Sequence, residues 1–218
     1  MTEAISQFLA NVFNGNVVLA TILISMIPLI ELKGAIPFAM SKDFWGVHVL
    51  TSWQALGCSF LGGVIVTIIL AIAFKPIYNW VKDKKFFKSF INFFTASAER
   101  KTKEIENKNK EETSSRKKTL IKFLTALIFV AIPVPGTGAY TGTVLAVLMG
   151  LNFPLTLISV TVGNFIAGLI IMFICSIFPE FTTIIMLIFI FLIIAFLAYR
   201  VVVHVINKKR EQNNTQEK

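Results

Sequence analysis

Glu31 and Lys33 place a carboxylate and an ammonium two residues apart inside a stretch, Val17 to Ala39, that is otherwise uncharged. A carboxylate within an apolar segment costs about 2.5–3.5 kcal/mol on insertion scales, and its default reading is functional. Desolvation favours the neutral acid, while Lys33 favours the ionised one. The chemistry on offer is uptake and release of a proton, or the holding of a cation. Lys33 either meets an anionic substrate or pairs with Glu31 for structure, and the spacing leaves both open.

A second set of chemical groups lies about 100 residues on, in Ile132-Pro-Val-Pro-Gly-Thr-Gly-Ala-Tyr-Thr-Gly142. Pro28 and Pro37 in the first stretch, and Pro133 and Pro135 in the second, break helices and free carbonyls that can coordinate a cation or bond to a substrate. Gly136, Gly138 and Gly142 let backbone amides at a half-helix N-terminus face an anion, or let helices pack closely. No Gly-Lys-Ser/Thr follows, which excludes a nucleotide-binding P-loop. Thr137, Tyr140 and Thr141 add hydroxyls beside the break. Asn164 puts an amide inside an apolar span, as a site residue or as glue between helices.

The elements that position these groups must lie in a membrane. A mean hydropathy of +0.73, with 55% apolar and 15% charged residues, does not suit a soluble domain. Phe123 to Pro179 runs for 57 residues without Asp, Glu, Lys, Arg or His, and a span needs about 20. The net charge of +9 is not a nucleic-acid footprint. Of 21 Lys and Arg, 14 fall between Lys75 and Lys122 and five between Arg200 and Lys218, the bias of cytoplasmic loops. Cys58 and Cys175 have no Cys or His neighbours in sequence and read as inert thiols, with no metal site. The start Met1-Thr-Glu-Ala4 lacks a basic signal-peptide region, so a retained N-terminus is expected.

Hydrophobic patterning predicts a single polytopic unit over residues 1–206. Residues 2–14 carry the spacing of an interfacial amphipathic helix. A first re-entrant hairpin is expected over 15–46 and a transmembrane helix over 49–74. A basic amphipathic helix and cytoplasmic linker follow over 76–118, with aromatics and lysines of 76–99 suited to anionic lipid. A second re-entrant hairpin is expected over 119–151, then transmembrane helices over 154–178 and 181–205, and a polar tail over 207–218. The arms Thr119–Val134 and Gly138–Leu151 are each too short, at about 1.5 Å per residue, to cross a ~30 Å core. A hairpin that returns leaves two crossings before the tail and puts 19 of 21 cations on one side; two full crossings would satisfy the same parity.

The halves repeat weakly. A shift of 104 lays Lys33-Gly-Ala35 on Thr137-Gly-Ala139, and one of 106 lays Gly57 and Gly62 on Gly163 and Gly168. One span between two hairpins makes them enter from opposite faces, which is an inverted repeat.

Together, Ile30-Glu-Leu-Lys-Gly-Ala-Ile-Pro37 and Ala131-Ile-Pro-Val-Pro-Gly-Thr-Gly-Ala-Tyr-Thr-Gly142 resemble the signature of the small multidrug export protein family, over about residues 15–180. The layout is distantly similar to the DedA/VTT superfamily, whose resemblance implies opposed re-entrant hairpins and, among its members, lipid transport. On that likeness Glu31 matches the acidic position of the first hairpin, and Pro133, Pro135 and Gly136 the turn of the second. Lys33 stands where many relatives carry Arg. The arginines of the DedA second hairpin have no equivalent between Phe123 and Pro179, which weakens any transfer of phosphate binding.

The expectation is an all-α bacterial inner-membrane protein built from two inverted repeats, with the linker and C-terminus cytoplasmic. Its function is read as proton- or ion-coupled export of a small molecule, not as an enzyme, and without a cofactor. The pathway residues would be Glu31, Lys33, Pro37, Pro133, Pro135, Gly136, Thr137, Gly138, Thr141 and Asn164. Expected partners are membrane lipids, protons or a monovalent cation, and no nucleic acid; a homo-oligomer is compatible. A polyprenyl-phosphate translocase or lipid scramblase, and a non-transporting assembly factor recruiting partners through its basic segment, remain as alternatives.

Overall fold

The computed structural model describes residue 13, residues 15–73 and 111–180, and individual residues between 182 and 203. The expected amphipathic helices at 2–14 and 76–99 lie outside the described residues. Those described are predominantly helical, with no strand among them.

Helix α1 spans Val17–Ser25, opened by Asn16, whose side chain accepts from the Leu19 amide at 3.0 Å. The chain turns over residues 26–30 around Pro28 and re-enters a helix as α2, Glu31–Met40. Pro37 lies within α2 and does not break it, contrary to the reading of the first motif as proline-broken at both ends. Residues 31–39 are all buried, and enclosure by neighbouring helices carries α2 past the missing amide. Helix α3, Lys42–Trp45, and a 3-10 turn, Gly46–His48, lead to α4, Ser52–Ile72. Thr51 and Gln54 form a capping box at its start.

Helix α5 spans Glu111–Ala131 among the described residues, so the eight residues before the arm expected from Thr119 are helical as well. The polar composition of 111–118 hid this extension. After the break at 132–138 come α6, Ala139–Leu148, and α7, Phe153–Ile177, capped by Asn152 on the Leu155 amide at 3.1 Å. Within the segment read as a last span, the described residues are helical, and Phe189 packs against Gly34 of α2.

Helices α4 and α7, of 21 and 25 residues, are long and apolar enough to cross a membrane. What they expose and what they bury argues that they do so. Ser59, Gly62, Gly63 and Thr67 of α4 and Ser159, Gly163, Asn164 and Gly168 of α7 face inward, while Leu61, Ile69 and Ile72, and Ile158, Phe173 and Ile177, face outward. A polar or small-residue interior beneath an apolar surface suits lipid, where helices associate by close packing rather than by hiding hydrophobes. By contrast α1, α2 and α6 have 9, 10 and 10 residues. At about 1.5 Å per residue they reach roughly half of a hydrocarbon core.

Packing follows one scheme twice. Helix α1 packs on α2 and α4, and α5 packs on α6 and α7; α2 reaches both α4 and α7, as does α6. Each long helix admits its neighbour at a glycine. A Cβ at Gly62 would overlap the Ile22 carbonyl and Ser25, and one at Gly163 would come within 2.6 Å of the Leu127 carbonyl.

Candidate functional site

The two breaks meet, and each supplies what the other lacks. Lys33, 1% exposed on the first turn of α2, extends its ammonium into the second break. Its Nζ donates to the Ile132 carbonyl at 2.9 Å, the Val134 carbonyl at 3.2 Å and Thr137 Oγ1 at 2.6 Å. Both carbonyls lie where prolines 133 and 135 interrupt the helical ladder. Thr137 Oγ1 is within 2.8 Å of the same two carbonyls and donates its one proton there. In return, Tyr140 on α6 donates its phenol proton to the Met26 carbonyl, at 2.5 Å, in the first break.

Glu31 opens α2 and is 3% exposed. Its Oε1 accepts from the Tyr140 amide at 3.3 Å, and its Oε2 has no hydrogen-bond partner among the described residues. The carboxylate therefore lies at the N-terminus of α6, where unpaired amides and the helix dipole favour negative charge. Gly138, which precedes α6, makes this approach feasible: a Cβ there would overlap the carboxylate. No ion pair joins Glu31 to Lys33 among the described residues, although their charges are close enough to act on each other. Each faces its own part of the second break.

The backbone around Glu31 is strained. Leu29 and Glu31 take φ of +79° and +50°, a region non-glycine residues rarely adopt. Such conformations cost on the order of 1–3 kcal/mol each and persist where surrounding packing over-determines them. In the second break the corresponding turn uses Gly136, at φ +85°, where the missing Cβ removes that strain. Thr141 Oγ1 donates to the Gly136 carbonyl at 2.6 Å and ties α6 to the turn.

Of the residues singled out in the sequence, Glu31, Lys33, Pro133, Pro135, Gly136, Thr137, Gly138 and Thr141 are gathered at this junction. Pro37 is not: it stands nearly two turns along α2. Asn164 lies at a separate seam between α7 and α4, its Nδ2 2.6 Å from where a Gly63 Cβ would stand and its Oδ1 without a partner among the described residues. Gly168, one turn further along α7, receives the Leu32 side chain, so the seam borders the segment that carries Glu31 and Lys33. Freed carbonyls at the breaks were expected from the prolines, but which ones take part, those of Met26, Ile132 and Val134, and the pairing of Tyr140 with Met26, were not read from the sequence. A half-buried phenol in an apolar helix calls for a partner, but nothing local says which. Among the described residues no group of His, Cys, Asp and Glu could hold a metal ion.

The family model described as "Putative small multi-drug export protein" matches residues 31–170. That span begins at Glu31 and takes in α2, both breaks' contacting residues except Met26, α4 and most of α7. No curated protein and no solved structure matches the chain. The match covers well over half of the 218 residues, and on it the chain, a helical membrane protein, belongs to the small multi-drug export protein family.

Proposed function

We propose that the protein exports a small molecule across the bacterial cytoplasmic membrane, coupled to a proton through Glu31, at a site shared by two opposed re-entrant hairpins. One observation carries this reading: a buried carboxylate that faces a helix N-terminus with one oxygen and, among the described residues, has no partner for the other. A purely structural Glu at this depth would be expected to have both oxygens satisfied. A proton on Oε2 neutralises the carboxylate and weakens its hold on α6, so loading and unloading the proton biases how the two breaks sit together. That is a differential interaction of the kind coupling requires.

The inverted-repeat architecture is part of the same proposal. The twice-used packing scheme supports it, as do helices too short to cross. A further support is that Lys33 and Thr137, matched by the shift of 104, touch each other. Residues related by a two-fold axis do so when they lie on it. The cation bias puts the linker and the C-terminus in the cytoplasm.

The test is reconstitution of wild type and Glu31→Gln into proteoliposomes, following protons, a fluorescent cationic dye and a fluorescent lipid in parallel. The variant keeps size and removes titration. Dye export should follow the imposed pH gradient in wild type and lose that dependence in Glu31→Gln. An unchanged pH profile in the variant would end the coupling reading, and lipid movement without dye movement would favour a lipid translocase.

A further inference from the structure

We infer that the turn from Ile132 to Thr137 is a binding site for a monovalent cation, and that the Lys33 ammonium is its tethered occupant. The inference rests on the proposal that the two breaks form one site, and it adds what fills that site.

Three oxygens converge on Lys33 Nζ, all from one turn of chain: two backbone carbonyls and one hydroxyl, at 2.6–3.2 Å. An ammonium has three protons to give and here gives all three. Because Thr137 spends its own proton on the neighbouring carbonyls, it can turn only a lone pair towards Nζ. The acceptors are therefore the negative ends of fixed dipoles, with no carboxylate in contact. Dipoles of this type, from unwound backbone at a helix break, solvate alkali cations in place of water. An ammonium group is close to a potassium ion in size and carries the same charge.

The amine belongs to α2 and its oxygens to the second break, so this cation cannot diffuse away. It leaves only if the breaks part. Supplying the charge from the chain makes the site independent of sodium or potassium in solution. Removing the amine should hand the same oxygens to a free ion, with water and Glu31 Oε2, beside adjoining Gly138, available to complete its shell.

The experiment is thermal unfolding of the purified full chain in detergent, in potassium, sodium or choline chloride at equal ionic strength. Wild type is compared with Lys33→Ala and Lys33→Met; the second keeps the apolar stem. Both variants should show a saturable rise in unfolding midpoint with potassium or sodium but not with choline, about 3–6 °C at tenfold over the dissociation constant. Wild type should unfold at one temperature in all three salts. Variants that respond alike to the three salts would overturn the inference, as would a wild type with the same alkali-cation response. Loss of both variants from the membrane would also overturn it, since the potassium of the cytoplasm should have filled the vacated site. The readout involves no transport, so its failure leaves the proton-coupling proposal to stand or fall on Glu31→Gln.

Discussion

Replacing Gly138 by alanine tests the junction most directly, because the three atoms nearest to the added methyl all belong to the Glu31 carboxylate. Either the carboxylate or the start of α6 must move. Overpacking of a well-packed site costs about 1–3 kcal/mol. Loss of the Tyr140 amide bond and of the charge's place at the helix end adds about 1 kcal/mol. The sum, about 2–4 kcal/mol, corresponds to a fall of roughly 5–15 °C in unfolding midpoint for a chain of this size. The assay is a double-mutant cycle by thermal unfolding in detergent, with Gly138→Ala made in wild type, Glu31→Ala and Glu31→Gln. Truncation to alanine should remove the clash, so that Gly138→Ala then costs under about 1 kcal/mol. The remainder, about 1–3 kcal/mol, is the coupling energy of a contacting pair. Glutamine keeps the bulk, and in that background the penalty should persist. Equal penalties in all three backgrounds would refute the claim that Glu31 occupies the space over Gly138.

Tyr140→Phe removes the phenol that caps the Met26 carbonyl and should destabilise the protein by about 0.5–1.5 kcal/mol, the net worth of a part-buried hydrogen bond; an unchanged midpoint in detergent would show that the carbonyl has another partner. Cysteines placed singly at Ser114 and Thr215, with both native cysteines replaced by serine, should react with an impermeant thiol reagent from the same, cytoplasmic side; labelling from opposite sides would dismiss the charge-based topology.

Local composition fixed the class of this protein, because lipid demands long uncharged runs and gathers cations into loops, and both are visible without a structure. It also exposed Glu31, since an acid in a stretch such as Val17–Ala39 stands out against any background. The second break was legible from Pro133, Pro135 and Gly136, whose backbone restrictions act within a few residues. Pro37 shows the limit of that logic: the same residue type sits inside a continuous α2, because burial of residues 31–39 rather than local preference decided the outcome. The helical stretch of α5 ahead of Thr119 was missed for the opposite reason, as a polar stretch can be helical without showing an apolar face. Only the tertiary structure decided the partner of each buried polar group. Lys33 could have paired with Glu31 two residues away, and instead bonds to oxygens 99 to 104 positions distant. The sequence says that a buried charge must be satisfied; which dipoles satisfy it depends on how the two breaks pack, a relation that no local pattern carries.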